Sequence, residues 1–201
     1  MMPLTTEPYT TQSARWPTSG RHILAQYDAA SVVVYQAYRP AIGRVAATHG
    51  FFGGDFSLGR MSWIKPNFLW MMYRSGWGTK PGQEVTLAAR MQRAAFDAIL
   101  RAAIPSSFDA ARYPDAATWQ AAVAQSEARE QWDPDHDPSG APLARRAIQL
   151  GLRGALLMRY ASEWIVDIED ISPFVAEQRE RVHPPYADLL TPREDVYVGR
   201  T

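Results

Sequence analysis

Hydrophobic and polar positions divide the chain into short segments of two periods. SVVVYQAYR, residues 31–39, has three consecutive Val and two Tyr and reads as a strand. PAIGRVAATHG, 40–50, follows with Pro suited to a first helical turn, apolar Ile42, Val45 and Ala46 on one face, and Gly50 placed as a C-terminal cap. FFGGDFSLGR, 51–60, is a Gly-rich loop without the spacing of a nucleotide-binding fingerprint. Pro66 to Tyr73 has helical character and stops near Gly76. EVTLAARMQ, 84–92, alternates as a strand does, and AAFDAILRAA, 94–103, is an amphipathic helix. An Ala-rich helix is expected over 115–128. REQWDPDHDPSGAP then reads as a strand end and a long polar turn, and RAIQLGLRG, 146–154, as a second alternating segment. ALLMRYASE is a helix and WIVDIEDIS, 164–172, a strand closed by Pro173.

Strands and helices mix without a regular βαβ rhythm, so the expected class is α+β: a single domain with a mixed or antiparallel sheet and packed helices. Residues 1–20, rich in Thr, Ser and Pro, read as an extended arm draped over the body by Tyr9 and Trp16. Residues 21–175 form the domain. Residues 176–201, with Pro184, Pro185 and Pro192, read as a tail wrapped on its surface.

Composition narrows the chemistry. The chain has 201 residues, of which 46% are hydrophobic, enough for a sizeable core. Basic and acidic residues balance at 21 each, so no bulk charge draws the protein to nucleic acid or an anionic membrane. There is no Cys, which excludes disulfides, thiolate nucleophiles and Cys-ligated zinc. His22, His49, His136 and His183 are scattered, and no metal site is expected. No apolar run approaches the roughly 18 residues of a membrane span, and the N-terminus lacks the apolar core of a signal peptide. The expected location is the cytoplasm.

Three places invite chemistry. WIKPNFLWMMYRSGWG, 63–78, sets three Trp, a Phe, a Tyr and two Met around Lys65 and Arg74. It reads as core on one helix face and pocket wall on the other. Aromatic faces beside cations suit an aromatic base and a phosphate. Alternation along VYQAYRP places Tyr35, Ala37 and Arg39 on one side, with Arg39 at the strand end. In SEWIVDIEDI, Asp167 and Glu169 read as solvated, while Glu163 stands beside Trp164 where helix hands over to strand. WDPDHDPSG, 132–140, reads as a flexible polar turn.

The blocks MSWIKPNFLWMMYRSGWGTKPGQEVTLAAR, VYQAYRP, RRAIQLGLRG and EWIVDIEDIS resemble a family known only as a domain of unknown function. More distantly, VVVYQAYRPAIGRVAATHGFF resembles the opening unit of ADP-ribosyltransferases, and SEWIVDIEDI their last motif. That second resemblance implies an ADP-ribosyltransferase-like fold and NAD as substrate. It assigns Arg39, with Gln36 as fallback, to NAD contact and Glu163 to catalysis. The middle motif, a strand with Ser-Thr-Ser, has no counterpart, so Tyr73 and Ser75 would stand in for it. Tyr35, Trp63, Lys65, Arg74 and Trp77 complete the expected nucleotide-binding set. The expected activity is transfer of ADP-ribose from NAD to nucleic acid, protein or a small molecule. The competing expectation is a non-enzymatic module that binds a nucleotide or nucleic acid on the Trp63–Trp77 surface.

Overall fold

A computed structural model describes residues 4–199. In chain order the strands are β1 (Thr6–Pro8), β2 (Gly20–Arg21), β3 (Leu24–Ala25), β4 (Ser31–Tyr38), β5 (Ser62–Ile64), β6 (Val85–Gln92), β7 (Ile104–Pro105), β8 (Ala128–His136), β9 (Pro142–Leu152), β10 (Ile165–Asp170), β11 (Leu190–Pro192) and β12 (Asp195–Val196). The helices are α1 (Tyr9–Ser13), α2 (Pro40–His49), α3 (Phe68–Ser75), α4 (Arg93–Ala102), α5 (Ala116–Gln125), α6 (Gly154–Arg159) and α7 (Ser172–Arg179). This is an α+β fold. No described helix is long and apolar enough to cross a membrane.

Two sheets carry the body. The first is antiparallel, in the order β10-β6-β4. The second is mixed, in the order β2-β9-β8-β7, with β5 also paired to β9. The triple-Val run in β4 is apolar on both faces because both are covered. Val32 and Val34 join Leu87, Met91, Phe96 and Ile148 in the larger core, while Val33 and Tyr35 pack with Phe68, Met72 and Val175 in a second one. Such a doubly buried strand loses the period-2 signal of a half-exposed one. Helix α2 lies on β6 at Gly43, where an added Cβ would come within 2.5 Å of Val85. The sheets meet at a backbone bridge: Tyr35 N–H donates to Lys65 O at 2.7 Å, and Lys65 N–H to Tyr35 O at 3.2 Å.

Several segments depart from the sequence pattern. Strand β8 continues through the polar WDPDH stretch to His136. Its pairing with β7 ends at Glu130, so the outer edge is free where Pro134 removes an N–H. The helix over ALLMRYASE is two pieces, α6 and a π-helical turn at Tyr160–Trp164. Pro173 opens α7 rather than closing β10: Asp170 Oδ1 accepts Ser172 N–H at 2.9 Å just before it.

Both ends of the chain are woven into the body, apart from residues 1–3 and 200–201, which lie outside the described residues. Trp16 is buried, β11 pairs with β1, and β12 with β3. The Gln12 amide donates to Thr191 O at 3.2 Å and Pro192 O at 3.1 Å and accepts Glu194 N–H at 2.8 Å. Glu194, fully buried, in turn accepts Phe68 N–H at 2.6 Å and Asn67 Nδ2–H at 3.0 Å. A tail carboxylate therefore satisfies donors at the start of α3, where the helix dipole also favours it.

Glu194→Ala should leave those buried donors unpaired and destabilise the protein by about 1–3 kcal/mol. Urea denaturation checks this; an unchanged midpoint would show that the tail does not hold α3.

Candidate functional site

Where the two sheets meet, β4, β5, β8 and β9 open onto a cleft of about 570 Å³. The register explains its contents. Trp63 pairs with Gly151 and Ile64 with Leu150, which carries Lys65 to the level of Gln149, and Gln149 pairs with Gln131 on β8. Paired residues share a face, so Lys65, Gln149 and Gln131 form a row across three strands. Trp63 lies over Gly151, where a Cβ would sit 3.1 Å from the indole. The opposite wall brings Arg74 and Met71 from α3, and the Gly-rich loop adds Phe56 and Arg60.

The lining is cationic and rich in amides. Arg60, Lys65 and Arg74 face a space also bordered by Gln36, Gln83, Gln131 and Gln149. No carboxylate lines it among the described residues. Lys65 is only 5% exposed, and among the described residues its ammonium makes no hydrogen bond or ion pair, its nitrogen being open to the cleft rather than sealed in the core. Burial pulls its pKa from 10.5 to about 8, Arg74 adds to the drop, and Asp133 opposes it. The shift corresponds to about 3 kcal/mol disfavouring the ammonium. An anion entering the cleft would recover part of that cost.

The floor is rigid. Gln36 donates to Tyr38 Oη at 2.6 Å and Ser62 Oγ at 3.0 Å and accepts Tyr160 Oη–H at 2.7 Å. Burial pushes the Tyr38 hydroxyl up to about 12, so it stays protonated at neutral pH. Beside the row, Asp133 accepts from Gln131 Nε2 at 2.8 Å and from Gln149 Nε2 at 2.9 Å.

The residues singled out in the sequence divide. Gln36, Trp63, Lys65 and Arg74 line the cleft together. Tyr35 is buried edge-on against Phe68, with ring centroids 5.5 Å apart. Ser75 Oγ donates to Met71 O at 2.9 Å and accepts Gly78 N–H at 3.2 Å, which secures the end of α3. Trp77 packs on Phe68 and donates from Nε1 to Pro138 O at 3.1 Å. Tyr73 lies flat on His136, 3.5 Å between ring centroids, which places the supposed polar turn at His136 inside an aromatic stack. Arg39 is exposed at the end of β4 and pairs with Asp55 at 2.9 Å.

Glu163 is elsewhere. Its side chain is 62% exposed and ion-paired to Arg159. Its backbone carbonyl accepts from Gln92, which pairs with Ser31, whereas Gln36 and Tyr38 lie toward the other end of β4. About 26 Å of extended chain separates the Ser31 end from Arg39. The structure does not bring Arg39 and Glu163 together. Gln131, Gln149 and Asp133 were not singled out. Gln149 had a signal, a polar residue between Ile148 and Leu150, whereas Gln131 and Asp133 lie in the polar run at 129–137 and had none.

Fold and cleft together define an α+β protein with an electropositive, amide-lined cleft. The chain belongs to the family described as Domain of unknown function (DUF4291), whose model matches residues 22–197. No curated protein matches it.

Lys65 and Lys80 are the only lysines in the sequence, which makes Lys65 measurable. Because its pKa is lowered, the reactive neutral amine forms as pH rises through about 8. Reductive methylation with formaldehyde at a series of pH values, read by mass spectrometry against Lys80, should give a midpoint there. Modification of Lys65 only near the ordinary lysine range, above about pH 10, would contradict the buried, unpaired environment.

Proposed function

We propose that the cleft binds a nucleotide, with NAD as the first ligand to which it is matched. The observation that carries this reading is Lys65, a largely buried side chain whose ammonium opens onto a cleft with Arg60 and Arg74, with no lining carboxylate among the described residues and only Asp133 opposing its desolvation from beside it. Buried charges are ordinarily paired. Three cations around one space are suited to phosphate oxygens. Trp63 offers a stacking surface, for which base–aromatic contacts contribute roughly 1–3 kcal/mol. The glutamines supply polar groups that fix orientation, and the volume lies within the usual range of about 300–1,000 Å³ for small-molecule sites.

Transfer of ADP-ribose from NAD is the enzymatic extension of this reading. Cleaving the nicotinamide bond builds positive charge on the ribose, which a carboxylate stabilises and nearby cations oppose. Glu163, the carboxylate assigned by resemblance, pairs with Arg159 outside the cleft lining. The geometry therefore favours holding the nucleotide over cleaving it.

Isothermal titration of NAD, ATP and adenosine tests the proposal. NAD and ATP should bind, and adenosine, without phosphates, should bind more weakly. Lys65→Met and Arg74→Ala should each weaken NAD by roughly ten-fold or more, as loss of a charged hydrogen-bond partner does. Wild-type protein that binds neither NAD nor ATP would overturn the reading. Nicotinamide release in the same samples separates holding from cleavage: release abolished by Glu163→Ala would establish that the bond is broken with Glu163's help, the ADP-ribose passing to water in the absence of an acceptor.

A further inference from the structure

We propose that Asp133 is a positioning residue that turns Gln131 and Gln149 into a paired hydrogen-bond acceptor for a ligand group carrying two donors. The inference rests on the nucleotide reading and adds what the cleft selects. A carboxylate can only accept hydrogen bonds, so an amide bound to it presents its nitrogen and turns its oxygen away. Gln131 Nε2 is 2.8 Å from Asp133 Oδ1, and Gln149 Nε2 is 2.9 Å from Asp133 Oδ2. One carboxylate thus fixes both amides, one with each oxygen. Neither Oε1 has a hydrogen-bond partner among the described residues, and both glutamines line the cleft.

The two amides come from residues directly opposite each other on β8 and β9, with Cβ atoms about 5 Å apart. Two neighbouring amide acceptors, both held by the one carboxylate, match a group that donates twice. On a nucleotide this is the vicinal ribose diol or an exocyclic amine. A ligand without those donors would leave the two carbonyl oxygens desolvated and unpaired, and such losses generate strong discrimination in polar sites. Gln36 does not share this role, because Tyr160 occupies its Oε1 and its Nε2 is bonded to Tyr38 and Ser62.

Asn at position 133 would offer one oxygen and one NH₂, so only one of the two amides could keep its orientation. The test compares wild type with Asp133→Asn for ATP, 2′,3′-dideoxy-ATP, ITP and inorganic pyrophosphate. Wild type should prefer ATP over one analogue by about ten-fold. Preference over the dideoxy compound would identify the diol as the donor, and preference over ITP the amine. In Asp133→Asn that ratio should fall to near one, while pyrophosphate binds at least as well, since the variant removes a negative charge. Retained pyrophosphate binding also shows that the variant is folded. Gln149→Leu should lower the same ratio and serves if Asp133→Asn is unstable. An undiminished ratio in both variants, or no preference in wild type, would overturn the role of Asp133 with nucleotide binding intact. Wild type that binds neither nucleotide nor pyrophosphate would overturn the underlying reading as well.

Discussion

The pair of hydrogen bonds between the Tyr35 and Lys65 backbones joins the two sheets, and the rest of the molecule is arranged around that join. Strand β4 belongs to the antiparallel sheet, while β5 pairs with β9 of the mixed one. Bridging them leaves an opening where the sheets diverge. The same bridge sets the backbone position of Lys65, so its side chain is buried by architecture rather than drawn in by a partner. The tail supports this from the other side, since Glu194 at Asn67 and Phe68 fixes where α3 begins and hence where Arg74 falls.

Desolvation of the Lys65 ammonium works against the fold, and Asp133 offsets it only in part. Every other basic residue but Lys80 is Arg, so the lysine at this position stands out in a chain that otherwise uses guanidinium. An ammonium is compact and its protonation responds to burial, whereas a guanidinium stays charged. The destabilisation is confined to a cleft wall, where a ligand can offset it. Such local conflicts between stability and arrangement are expected at functional sites.

Much of the fold was legible in the sequence. The β4–α2 unit, with its Val run, Pro40 and the Gly50 cap, carries strong local signals, and β6 and α4 follow their periods. The polar run at 132–136 was harder, because Pro134 argues against a strand unless one edge is free, and that depends on where β7 ends. The site was half legible. Lys65 and Arg74 stood out as cations amid apolar residues. Gln149 did not, since a lone polar residue in a strand also describes a solvent-facing position, and Gln131 was hidden in a run of polar residues. The aromatic stretch at 63–78 is chiefly core, with Trp63, Lys65, Met71 and Arg74 turned to the cleft. Glu163 resembles a catalytic motif locally, but its distance from Arg39 follows from sheet pairing, which local pattern does not encode.

The most direct measurement is a crystal structure of the protein grown with NAD. Phosphate oxygens within hydrogen-bond reach of Lys65, with a ring of the ligand on Trp63, are the predicted result. Ligand density away from this cleft, for instance in the smaller cavity around Trp132 and Arg21 or near Glu163, would contradict it.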